Sequence, residues 1–197
     1  MKPTFFERLI AYMLDIFLVG LIASIICYNL PVNTTKYAEK LTDINEKYLS
    51  NEITEETYIQ EYSNILYENQ KINIISLSVT TALTIGYFVV FQYMNNGQTL
   101  GKKLLHLRVV DANTQKPISI PRGLIRSAFI LNIFSGTLNI IFVYTLSKNS
   151  YFISYGAVYL IEWLFIVVTV FFVIYRKDGR GLHDIMTNSL VIKERRW

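Results

Sequence analysis

The sequence predicts an all-α membrane protein: a four-transmembrane-helix bundle with a small cytoplasmic β-hairpin or β-element and a helical extracytoplasmic loop. Three observations predict it. The 197-residue chain is 52% hydrophobic and 14% aromatic against 17% charged, which is too apolar for an ordinary soluble domain. Four of its stretches are long and apolar enough to cross a hydrocarbon core of about 30 Å, a task for about 20 helical residues. The net charge of +4 is concentrated in particular loops, the pattern of a membrane topology rather than of a nucleic-acid surface. Residues 1–197 read as a single membrane domain, with spans near 9–30, 72–94, 123–147 and 150–175.

The first span, Leu9 to Leu30, carries one charge, Asp15. It is too long for a signal peptide, holds an aspartate and lacks a small-x-small cleavage site, so it is expected to stay as an anchor. The loop from Pro31 to Lys71 has four Lys against eight acids. It is therefore expected outside, because Lys and Arg accumulate in the cytoplasm. Tyr37, Leu41, Ile44 and Tyr48 recur there at helical spacing, predicting an amphipathic helical hairpin over the bundle. The triplet Asn33-Thr34-Thr35 fits a glycosylation sequon, a short pattern of little weight.

The second span, Ile72 to Met94, is uncharged. The loop from Asn95 to Arg122 follows with five bases against Asp111, and the tail from Arg176 has six bases against three acids. Both are expected in the cytoplasm, as are both termini. Leu105 to Asp111 alternates and is β-branched, and Pro117 to Ile120 could return as a second strand. The terminal Ser189 to Lys193 is another strand candidate that could pair with this hairpin. The third span, Gly123 to Ser147, carries Arg126, and the fourth, Ser150 to Tyr175, carries Glu162. A tight external turn near Lys148-Asn149-Ser150 is expected between them.

Several chemistries find no support. Cys27 is the only cysteine, so there is no internal disulfide and no cysteine metal site, and it reads as a small apolar core residue. Gly97-Gln98-Thr99-Leu100-Gly101-Lys102-Lys103 has three residues between its glycines and a second Lys after the first. A phosphate loop needs four residues and a Ser or Thr. His106 and His183 are the only histidines, too few for a histidine metal site. His183 and Asp184 are sequence neighbours, expected to face apart, and no nucleophile accompanies them. Neither an enzyme nor a cofactor is expected.

The intramembrane polar residues carry the functional signal. Arg8, Tyr12 and Asp15 share one helix face. Ser76, Thr80, Thr84 and Tyr87 form a stripe on the second span, Asn132, Ser135 and Asn139 on the third, and Tyr155, Tyr159, Glu162 and Thr169 on the fourth. Interhelical hydrogen bonding, at about 0.6 kcal/mol per contact, accounts for the Ser, Thr and Asn residues. Charges are costlier, at about 2.5 to 3.5 kcal/mol near the bilayer centre. Asp15 would lie about 9 Å deep at 1.5 Å per residue. Arg126 enters from the same side, so an Asp15 to Arg126 pair is expected. Glu162 sits mid-span with no basic partner at its depth. It is either a proton-exchanging group or a neutral hydrogen-bonding one.

Arg8-x-x-Ala11-x-x-x-Asp15, Gly97-x-Thr99-Leu100-Gly101-Lys102 leading into Leu107 to Asp111, and Gly181-Leu182-His183-Asp184 before a terminal strand resemble the RDD family of bacterial membrane proteins. The resemblance implies that Arg8 is the family's arginine, with Asp15 and Asp184 as its two aspartates. It covers Glu7 to Lys193 without the acidic loop and without a counterpart to Glu162. It implies a multispanning inner-membrane protein, and similarity of some members to cation/proton antiporters implies transport. The expected function is movement of a monovalent cation or small solute coupled to protons, with Asp15 and Glu162 as candidate exchange sites. One four-helix protomer has little interior and no visible inverted repeat, so a homodimer is expected. The alternative is a non-transporting accessory protein that docks a partner through the β-element or the acidic outer loop.

Overall fold

A computed structural model describes residues 2–30 and 34–194; Asn33 of the sequon and the ends of the chain lie outside the described residues. Helix α1 spans Phe5–Cys27 and begins at a capping box, in which Thr4 and Glu7 exchange side-chain to backbone hydrogen bonds. That cap starts the helix earlier than the expected Leu9 and draws Arg8 into its first turns. Helices α2 (Thr34–Leu49) and α3 (Glu55–Ile72) pack together as the expected hairpin, with Ile44 buried and Tyr48 stacked on Tyr58 at 4.6 Å.

The second span is α4 (Ile74–Ile85), a π-helical stretch Gly86–Phe91 and the short α5 (Gln92–Met94). Within it the Gln92 N–H donates to the Tyr87 carbonyl, five residues back. A short helix α6 (Leu100–Leu104) then leads into strand β1 (Leu107–Asp111). Next come α7 (Ile120–Ala128), α8 (Ile133–Thr145), α9 (Lys148–Tyr175), α10 (Leu182–Met186) and strand β2 (Ser189–Lys193).

Three expectations need correction. The loop does not fold as its own hairpin: β1 pairs antiparallel with β2, Leu107 opposite Lys193 and Asp111 opposite Ser189. Pro117 to Ile120 cannot return as a strand because Ser119 is the extended cap of α7 and Pro121 stands in its first turn, where a fixed φ favours helix. The third span is not one helix either. It bends by 80° between α7 and α8, with Asn132 in the left-handed conformation at φ 52°. The expected turn at Lys148 to Ser150 is itself helical, since Ser147 caps α9 by accepting from the Ser150 N–H.

Among the described residues, three helices are long and apolar enough to cross a membrane: Phe5–Cys27, Ile74–Met94 and Lys148–Tyr175. The bent pair α7 and α8 would make a fourth span if the two count as one. Their outward faces are apolar, with Phe17, Leu160 and Trp163 exposed.

Two buried clusters mark opposite ends of the bundle. At one, Leu107, Val109 and Val191 of the ribbon pack with Ala11 and Ile118. At the other, Leu66 and Ile74 pack with Val143 and Tyr151, where α3 leans on α9 and the Tyr67 hydroxyl donates to the Val143 carbonyl at 3.0 Å.

Candidate functional site

Two fully buried carboxylates organise the ribbon end. Asp15, on the inner face of α1, accepts from the Gly101 N–H and the Tyr87 hydroxyl, each at 2.7 Å, and from the Thr99 hydroxyl. The Lys102 ammonium stands 3.8 Å away, donating to Gln92 Oε1 at 2.9 Å and Thr99 Oγ1 at 3.1 Å. Burial pushes the Lys102 amine down to about 8 against the pull of Asp15.

The glycines of the segment serve this enclosure. A Cβ on Gly101 would run into the Ala11 carbonyl oxygen and come within 2.8 Å of Asp15 Oδ1. Gly97 sits at φ 84°, where a side chain would strike the Val109 carbonyl. The Gly-x-Thr-Leu-Gly-Lys segment is thus a loop folded around a carboxylate.

The second carboxylate, Asp184, accepts from Arg126 Nη2 at 2.9 Å and Nε at 3.1 Å, and from Arg8 Nη1 at 3.2 Å. The Gly181 N–H at 3.2 Å and the Ser189 hydroxyl at 3.3 Å complete its shell. Burial works to raise its pKa, but Arg126 and Arg8 prevail and hold it below the usual carboxylate range. Arg126 therefore pairs with Asp184 and not with Asp15, as α10 packs against α7 while the loop has filled the oxygens of Asp15.

His183 also departs from expectation. Its Nε2 lies 3.4 Å from both Asp184 Oδ1 and Arg126 Nη2. Burial pushes its pKa down to about 3, so the imidazole is neutral.

A third arginine, Arg122, was invisible in the sequence as a site residue. It bonds Asp111 at 2.6 Å and the Thr187 and Asn188 carbonyls, tying α7 to the ribbon. The signal available was Asp111-Ala112-Asn113-Thr114, whose Asp accepts from two backbone N–H groups in an Asx-type turn.

Glu162 joins neither cluster. It is 2% exposed on α9; Oε1 accepts from the Ser135 N–H at 3.0 Å, and Oε2 has no partner among the described residues. Ser135 lies in the first turn of α8, just past the left-handed Asn132, so the carboxyl meets the positive end of that helix. The other polar stripes are mostly spent locally. Ser78, Thr80 and Thr84 donate to carbonyls four residues back, while Tyr151 and Asn139 join α9 to α8 at 2.5 Å.

Among the described residues no group of His, Cys, Asp and Glu is placed to hold a metal ion. A family model described as the RDD family matches residues 2–188. Neither a curated protein nor a solved structure matches the chain.

Proposed function

The chain belongs to the RDD family, and from that premise we propose that it is a cell-membrane protein that moves a monovalent cation or small solute against protons, with Glu162 as the exchanging group. One observation carries the reading: a buried carboxyl on a span-length apolar helix, bonded through one oxygen to the start of a helix beyond a sharp bend and unpartnered among the described residues at the other. Broken helices whose ends meet ions near mid-membrane recur in secondary transporters. The Ser135 N–H can hold the anionic carboxylate after its proton leaves, and Oε2 is available to a cation. Asp15 has no part in this exchange, since the loop and Tyr87 occupy its oxygens.

The same reading puts both termini and residues 95–122 in the cytoplasm and 31–71 outside. Its support is the excess of bases in the first group and of acids in the second. The N-terminal segment and the tail are also bonded to each other, through Arg8 with Asp184 and Lys2 with the Lys177 carbonyl, and the loop is joined to the tail by the pairing of β1 with β2. A homodimer would supply the interior that one protomer lacks.

Reconstituted protein loaded with a pH-sensitive dye and challenged with Na⁺, K⁺ and Li⁺ tests the proposal. Cation-dependent proton flux that Glu162→Gln abolishes is the expected result. Absence of flux from folded wild type would favour the accessory reading, in which the ribbon or the acidic hairpin docks a partner.

A further inference from the structure

A cavity of about 300 Å³ lies between α1 and α9 at the ribbon end. Its lining combines charged and polar residues, among them Arg8, Lys102, Arg126, Thr169 and His183, with apolar ones, among them Leu9 of α1, Ile130 in the break between α7 and α8, and Ile166, Val170 and Val173 of α9. We propose that this cavity binds the anionic headgroup of a membrane phospholipid, whose acyl chain leaves along α9.

Charge is the first argument. Lys102, Arg8 and Arg126 are three cations held close to two carboxylates, Asp15 and Asp184. Asp184 alone serves both arginines, and neutral His183 adds nothing. One positive charge is left uncompensated beside a buried space, and a singly charged phosphodiester would balance it. Buried charges are costly unless paired.

The second argument is independent of charge. Arg8 Nε, Thr169 Oγ1 and His183 Nδ1 are buried and have no hydrogen-bond partner among the described residues, and all three belong to residues lining this cavity. Arg8 Nε is a donor by nature and the Thr169 hydroxyl can be one. His183 Nδ1 is a donor in the tautomer that leaves Nε2 to accept from the Arg126 guanidinium. Buried polar groups are normally satisfied, and three unpartnered polar atoms just behind this wall leave hydrogen-bonding capacity that a ligand rich in acceptor oxygens would meet once the side chains turn toward it.

The apolar lining decides what kind of anion. A free anion would gain nothing from Ile166, Val170 and Leu9, whereas an acyl chain buries against them. Val170 is 37% exposed and lies on a span-length apolar helix, giving the chain a way out toward lipid. Arg8 stands in the first turns of α1, the level at which basic side chains meet headgroups.

The test uses full-length, delipidated protein in neutral detergent, with bound lipid counted by native mass spectrometry. Dioleoyl phosphatidylglycerol should bind at one copy per protomer at least about tenfold more tightly than dioleoyl phosphatidylcholine, and inorganic phosphate should not displace it. Thr169→Val should weaken binding roughly tenfold, the effect of one lost hydrogen bond to a charged group. Ile166→Trp, which fills the cavity, should abolish it. Leu160→Trp, on the lipid-facing side of the same helix, should leave binding unchanged and control for folding of a tryptophan-bearing α9. Equal retention of the two lipids, or phosphatidylglycerol binding indifferent to Ile166→Trp, would overturn the proposal. Displacement by inorganic phosphate would overturn it too, making the cavity a pocket for soluble anions.

Discussion

Gly101 and Asp15 are in direct contact: the Gly101 N–H donates to Asp15 Oδ1 at 2.7 Å, and the space between the α6 and α1 backbones there admits no side chain. The carboxylate thereby holds a loop whose sequence is otherwise polar and short. Gly101→Ala should lower stability by about 1 to 3 kcal/mol through overpacking. Asp15→Asn should cost a comparable amount, since an amide nitrogen cannot accept where Thr99 or Gly101 donates. Because both changes break one contact, the double variant should lose less than the sum. Melting in detergent reads this, and a wild-type midpoint for Gly101→Ala would show that the loop can back away freely.

Arg126→Ala should be far more damaging than Lys103→Ala. The first leaves a buried Asp184 short of its best partner, at a cost of about 3 to 5 kcal/mol; the second removes an exposed side chain. Protein level and detergent melting compare the two. Equal values would mean that Arg8 alone can hold Asp184.

Acid should loosen the ribbon end through His183. Burial, reinforced by Arg126, Arg8 and Lys102 and opposed by Asp184, lowers its folded pKa to about 3. Below about 6.5 the unfolded chain takes up a proton that the folded chain refuses, so stability falls with pH across that window. The slope from one such group is at most about 1.4 kcal/mol per pH unit. Wild type should therefore lose stability between pH 6.5 and 4 more steeply than His183→Gln. Parallel curves would show that the folded imidazole protonates readily. Asp184, with its lowered folded pKa, contributes stability above about pH 4 that is lost as pH falls further.

For orientation, single cysteines at Glu56 and Asn113, both exposed, in a Cys27→Ser background should separate the two faces. An impermeant thiol reagent added to intact cells is expected to label position 56 and to reach position 113 only after lysis. The reverse pattern would invert the topology.

The sequence showed the apolar segments and the helical hairpin because each is a local pattern: hydropathy over twenty residues, or Tyr37, Leu41, Ile44 and Tyr48 at helical spacing. It also showed Arg8, Asp15, Asp184 and the glycine segment as one motif set. Which cation meets which carboxylate was not legible. Arg126 lies 58 positions from Asp184, and depth alone suited Asp15 equally well. The 80° bend was hidden for another reason. Residues next to Asn132 on both sides are apolar and helix-compatible, yet the chain leaves the helix over residues 129–132 and takes a positive φ at Asn132, a residue tolerant of it. Ser119-Ile120-Pro121 could have revealed the start of α7, as a cap residue shortly before a proline is a helix signal; its β-branched neighbour concealed it.

The π-helical stretch at Gly86–Phe91 acts as a phase shift in the second span. In an α-helix, residues five apart point about 140° away from each other, at about 100° per residue. The wider i to i+5 turn stacks them instead. That is why Tyr87 can reach Asp15 while Gln92, five residues on, reaches the Lys102 beside it. Removing one residue from this stretch would restore the ordinary pitch and swing one of the two partners out of the cluster, while hydropathy, length and apolar surface stayed nearly unchanged. The span would still cross the bilayer, but its two ends would be out of step.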